Sequence, residues 1–302
     1  MSFLYSIRKS LFGSHNSKVL KNEAKAKFYN PVLSYQTLVS KIKEKGYTQS
    51  TEAPIFIFSA GWRSGSTLLQ RLITSENKLL IWGEPYDRCN LIQNMAKSMN
   101  AFDNSWPPEG YYIKNETNDL ANQWIANLYP SLDKYLSAQT SVLLEMFSIP
   151  AQRMGAKNWG IKEVRFGLSE ALFLKLLFPN AKFLYLEREL HTAFSSYKSF
   201  NSEMPWFAEY PTKHVFTPYK FASHRRKMIT EMKEAQKIVG GIHIKYEELI
   251  SNQSVVSSIE NYCDLTISNG VLNNKVGSGD QKSSINILDK VLLHMGNRYR
   301  TA

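Results

Sequence analysis

A chain of 302 residues with 43% hydrophobic and 13% aromatic content is long and apolar enough to bury a full core, which excludes fibrous and disordered classes. Lys and Arg outnumber Asp and Glu by 37 to 26, a formal charge of +11, which suits an anionic ligand, a polyanion or a membrane surface without choosing among them. Cys89 and Cys263 are far apart, outside any CxxC spacing, and could form at most one disulfide, so a disulfide scaffold and a zinc site are not expected.

Residues 1–50 are polar and lysine-rich and read as a peripheral, basic helical lead-in to a single domain over 51–302. The first stretch lacks the apolar h-region of a leader, and no run reaches the roughly 18 apolar residues of a membrane helix, so a cytoplasmic protein is expected. A peripheral membrane contact through the basic N-terminus is the one membrane option.

The core begins with the continuously apolar run 54–59, expected to be a strand buried on both faces. A glycine turn follows, Ala60-Gly61-Trp62-Arg63-Ser64-Gly65-Ser66-Thr67, and then helical spacing over 66–73. Strand, glycine loop and helix in that order form an anion cradle, because glycines let backbone N–H groups approach a ligand at a helix N-terminus. The loop departs from the nucleotide-hydrolase pattern, since Ser66 takes the place of its lysine and the cation comes earlier, at Arg63. That departure argues against an ATPase or kinase.

Further apolar strands are expected at 79–82, 159–162, 181–186 and 242–246, with helices at 168–178, 191–200, 219–239 and 255–262. Alternating strands and helices imply right-handed crossovers and an α/β fold: a P-loop-type central parallel sheet of about five strands, flanked by helices, with ligands at the carboxyl ends of the strands. Residues 87–153 read as a mostly helical insert capping the acceptor side. The basic run His224-Arg225-Arg226-Lys227 reads as a solvated helix face, and His191, His214, His224 and His243 lack metal-ligand spacing.

Arg63-Ser64-Gly65-Ser66-Thr67-Leu68-Leu69, directly after an apolar strand, resembles the first motif of the sulfotransferase family, particularly its bacterial and Golgi-type branches. The resemblance implies that Arg63, Ser64, Gly65, Ser66 and Thr67 hold the 5′-phosphosulfate of 3′-phosphoadenosine 5′-phosphosulfate (PAPS), the donor, with no metal needed. The family's second motif is an arginine at a strand end with a serine eight residues on, gripping the 3′-phosphate; here these are Arg188 and Ser196. A guanidinium at a strand end and a hydroxyl one or two turns into the next helix can converge on one phosphate.

Glu84, in Trp82-Gly83-Glu84-Pro85, matches the Gly-Glu context of those branches' catalytic base. Lys162, in Trp159-Gly160-Ile161-Lys162, resembles the family's Trp-Gly-Asp-Lys segment, and with Arg63 would neutralise charge on the transferred group. Glu163 replaces the Thr or Asp often found after that lysine, which leaves the geometry there open. Lys275, Gly277 and Lys282 lie where the family's nucleotide-covering loop would be.

The expected activity is therefore sulfuryl transfer from PAPS to an acceptor hydroxyl on a glycan, glycolipid or small molecule. Tyr86, Trp106, Tyr111, Tyr112, Trp124 and Trp206 are candidates for stacking on sugar rings, with core packing as the competing explanation. No nucleic acid partner is expected. The alternatives are a P-loop kinase of a small molecule or carbohydrate, and a non-catalytic polyanion-binding module, which leaves the paired motifs unexplained.

Overall fold

A computed structural model describes residues 30–76, 78–86, 89–113, 120–122, 127–203, 217–268, 270–273 and 283–298. The start of the chain, Trp124, Trp206, His214, Lys275, Gly277 and Lys282 lie outside the described residues.

The elements run α1 (Pro31–Lys45), β1 (Ile55–Ser59), α2 (Ser66–Ile73), β2 (Leu79–Gly83), α3 (Leu91–Met99), α4 (Leu132–Leu143), α5 (Ile149–Arg153), β3 (Asn158–Glu163), α6 (Leu168–Leu177), β4 (Lys182–Glu187), α7 (Leu190–Glu203), α8 (Pro218–Val239), β5 (Ile242–Lys245), α9 (Tyr246–Ser251), α10 (Gln253–Cys263), α11 (Gly270–Asn273) and α12 (Ile287–Arg298). The five strands form one sheet in the order β2-β3-β1-β4-β5, and every pairing is parallel. The fold is thus the parallel α/β sheet expected from the alternation of runs.

Side chains alternate across the sheet, and both faces of the central strands are buried. Ile55 and Ile57 join Leu184, Leu186 and Ile244 under Leu69 and Leu72 of α2 and Val256 and Ile259 of α10. Phe56 and Phe58 join Trp159, Ile161, Phe183 and Tyr185 under α6 and α8. The expected full burial fails only at β2 and β5: as the sheet edges, they leave part of each strand open.

Helix α1 is not peripheral. Asn30 caps it by accepting from the Val32 and Leu33 N–H groups, Pro31 starts it, and Gly46 at φ 66° ends it. Leu38 and Ile42 then enter the main core. In the insert, α4 passes into α5 through a π-helical turn, Leu144–Ser148. Pro150 has no N–H to give to an upstream carbonyl, a known cause of such a bulge. Cys89 and Cys263 are both free thiols. Among the described residues no helix is long and apolar enough to cross a membrane.

Glu170, in the first turn of α6, accepts the Gly167 N–H at 2.7 Å. Burial, with the charges of Glu231 and Glu163, lifts its carboxyl to about 7 from an ordinary 4.5. The folded state therefore binds the proton more tightly than the unfolded state, so this carboxyl erodes stability as pH rises from about 4.5 through 7. Glu170→Gln keeps the acceptor and removes the charge. Thermal unfolding should show the variant level with the parent near pH 4.5 and more stable at pH 8, by about 1–2 kcal/mol, since the side chain keeps some solvent contact.

Candidate active site at the carboxyl edge of the sheet

The chain leaves β1 toward β2 on one side and leaves β4 toward β5 on the other, so a crevice opens between the carboxyl ends of β1 and β4. The glycine loop fills its mouth. Three loop residues take the left-handed conformation, Gly61 at φ 77°, Arg63 at φ 60° and Gly65 at φ 90°. At Gly65 the need is steric as well: a Cβ there would lie 2.2 Å from Cδ2 of Tyr246, the first residue of α9. Arg63, with a side chain in the same unfavourable region, marks a strained backbone held by its surroundings.

Those surroundings are the residues after β4. The Arg63 Nε donates to Ser196 Oγ at 2.9 Å, and Arg188 Nη1 donates to the Arg63 carbonyl at 3.2 Å. The Arg188 guanidinium lies over the Tyr246 ring, 4.5 Å from its centroid. Its Nε is buried and, among the described residues, has no hydrogen-bond partner. Burial and then the charge of Arg188 hold Arg63 below the usual guanidinium range. Two cations, a hydroxyl and an unanswered donor thus meet in one place, the composition of an anion site.

A second cluster forms one strand over. Register pairs Gly83 of β2 with Lys162 of β3, and the Glu84 N–H continues the ladder to the Lys162 carbonyl at 2.7 Å. That places the Lys162 ammonium on the Glu84 carboxylate as an ion pair. Lys162 is buried and Glu84 partly so, its side chain 25% exposed. The loop beyond β2 is strained in the same sense as the glycine loop, with Glu84 at φ 44°, Tyr86 at φ 54° and Asn90 at φ 48°.

The position after Lys162 is resolved by Arg165. The buried Glu163 carboxylate accepts Arg165 Nε at 2.9 Å and Nη2 at 2.5 Å, while Arg165 Nη1 reaches Asn90 Oδ1 at 3.2 Å. Burial pushes the Glu163 carboxyl up against the pull of Arg165. The pair ties the end of β3 to the loop that carries Glu84.

Arg63, Ser64, Gly65, Ser66, Thr67, Glu84, Lys162, Arg188 and Ser196 lie along this one edge. Arg188, Ser196 and Arg63 are brought together, and Glu84 with Lys162. Ser64 and Ser66 are buried in the loop and at the start of α2, and Thr67 is exposed. Ser64 Oγ donates within the loop, to the carbonyls of Ala60 at 3.1 Å and Gly61 at 3.0 Å. The contact described for the Arg63 Nε joins it to the Arg188–Ser196 cluster.

One expectation is overturned. The basic run on α8 is only partly a solvated face: Lys227 is exposed, but Arg225 is buried and His224 stacks on Trp62 with ring centroids 5.8 Å apart. Burial, helped by the Lys227 charge, lowers the His224 imidazole to about 4. The reason is register, since Arg225 lies on the inward stripe with Phe221, Ala222, Met228 and Met232. That 3–4 spacing is the signal that could have found it.

A protein-family model described as "Sulfotransferase family" matches residues 54–269. Among solved structures, the sulfotransferase domain of the olefin synthase from Synechococcus PCC 7002 is similar at 17% identity, covering 84% of this chain and 98% of that one, with a TM-score of 0.46. A sulfotransferase from Alicyclobacillus acidocaldarius is similar at 13% identity, covering 81% and 91% of the two chains, with a TM-score of 0.43. No curated protein matches the chain.

Proposed function

The chain belongs to the sulfotransferase family, and from that premise we propose that it uses PAPS as donor and an acceptor hydroxyl as substrate, with Glu84 as general base. The observation that carries the donor assignment is the buried, unpartnered Arg188 Nε beside Arg63 and Ser196. A 3′-phosphate brings the acceptor oxygens and negative charge this cluster lacks. The loop suits the other end of the donor, because a side chain at Gly65 would collide with Tyr246 and close the cradle.

When bound, PAPS supplies the sulfuryl group and carries away the displaced charge as 3′-phosphoadenosine 5′-phosphate. The chain's own residues position and neutralise. Arg63, Arg188 and Ser196 hold the 3′-phosphate; the loop N–H groups with Ser66 and Thr67 face the 5′-phosphosulfate, and Ser64, fully buried, braces the loop from within. Glu84 takes the proton from the acceptor hydroxyl as its oxygen becomes the nucleophile, and Lys162 supplies positive charge for the leaving oxygen. The ion pair keeps both groups in place before substrates enter. The insert, with Trp106 40% exposed, together with Tyr86, 60% exposed on the loop just before it, is the natural acceptor side, and these two rings suit a carbohydrate or glycolipid.

Arg188→Ala is the sharpest test of the donor assignment. Calorimetric affinity for 3′-phosphoadenosine 5′-phosphate should fall about 100-fold, while affinity for adenosine 5′-phosphate, which has no 3′-phosphate, should barely move. Equal losses for both nucleotides would place the 3′-phosphate elsewhere.

A further inference from the structure

Arg225 has no role in the chemistry above, yet it is among the most buried charged groups described, 3% exposed. Its Nη1 donates to the Ala60 carbonyl at 2.8 Å and to Ser64 Oγ at 3.0 Å, both in the glycine loop. Its Nη2 donates to the Arg188 carbonyl. One guanidinium thereby clamps the two halves of the crevice, the loop after β1 and the turn after β4, from a helix outside the sheet.

Among the described residues no carboxylate lies within ion-pair distance of it. Burial lowers Arg225 to about 10, with Glu187, Glu247 and Glu189 acting only at longer range, so it stays charged at neutral pH. A buried cation satisfied by neutral oxygens costs stability. It is tolerated where its planar fork fixes a geometry that an apolar side chain cannot.

We propose that Arg225 is the positioning residue of the donor site. It sets the distance between the glycine loop and Arg188, and so the fit to a nucleotide bearing both a 5′ and a 3′ anionic group. It touches neither the donor nor the acceptor. The inference rests on the donor assignment above.

The test is Arg225→Lys, which keeps the charge but cannot span three acceptors with one fork. Binding of 3′-phosphoadenosine 5′-phosphate and of adenosine 5′-phosphate is compared by calorimetry, with circular dichroism and thermal unfolding as controls. We expect affinity for the 3′-phosphorylated nucleotide to fall about 10- to 100-fold, and the preference over adenosine 5′-phosphate to shrink with it. In turnover, the donor KM should rise while kcat at saturating donor stays close to the parent value.

A variant that melts earlier but keeps the parent's nucleotide preference would reduce Arg225 to a structural role. Should Arg225→Lys not fold, Ser64→Ala removes a single acceptor of the fork and should still narrow the preference, by about threefold; an unchanged preference there overturns the proposal. If the parent protein shows no preference for the 3′-phosphate, the donor assignment itself fails and this inference falls with it. If the parent has the preference and Arg225→Lys retains it, only the inference fails.

Discussion

Glu84→Gln is expected to lower kcat by about 10²- to 10⁴-fold, the range a positioned general base contributes. The carboxylate stands at the end of β2 on the Lys162 ammonium, and glutamine preserves its shape and an oxygen facing that ammonium while giving up proton acceptance. Donor affinity should hold to within about threefold, because the variant leaves the Arg188 cluster intact. Separate kcat and KM measurements read this directly. A loss confined to KM, or a protein that merely unfolds earlier with kcat intact, would make Glu84 a structural carboxylate at a strained turn, consistent with its φ of 44° and nothing more.

Lys162→Met should cost about 10²- to 10³-fold in kcat, the scale of removing one preorganised charge from a developing anion. It should also destabilise the fold, since Glu84 is left partly buried without its cation, its side chain only 25% exposed. The two effects separate in a double-mutant cycle. Combining Lys162→Met with Glu84→Gln should recover part of the stability, a coupling of about 1–3 kcal/mol in thermal or denaturant unfolding, and none of the activity. Additive stability losses would mean that the two groups do not interact.

Much of this arrangement is legible in the chain before any fold is drawn. Continuous apolar runs such as 55–58 and 183–186 mark central strands because both faces are buried. Gly61 and Gly65 mark the loop because the left-handed backbone there favours glycine. The eight-residue step from Arg188 to Ser196 matches the motif of the family resemblance, and the structure brings the two together on Arg63, whose carbonyl accepts from Arg188 and whose Nε donates to Ser196.

What was not legible depends on tertiary register. Glu84 and Lys162 each appear as a charged residue at a strand end, but their pairing follows from β2 lying beside β3 with Gly83 opposite Lys162, which neither segment encodes alone. The Tyr246 ring packs against Arg188 because β5 ends at Lys245, one residue earlier than its apolar run suggests, and Tyr246 opens a helix. Arg225 looked solvated because three of its neighbours are basic; on a helix, the residues three and four positions away decide which way it points, and Phe221, Ala222 and Met228 point inward. The link from Arg63 to Ser196 is tertiary in the same way, since it joins the loop after β1 to the helix after β4.

Whether this edge of the sheet is a PAPS site is read out by calorimetric titration of the parent protein. The ligands are 3′-phosphoadenosine 5′-phosphate, adenosine 5′-phosphate, and ATP with Mg²⁺. A PAPS site should give micromolar binding that requires the 3′-phosphate and no magnesium. Tight Mg²⁺–ATP binding with no preference for the 3′-phosphate would contradict it and make the glycine loop a kinase site.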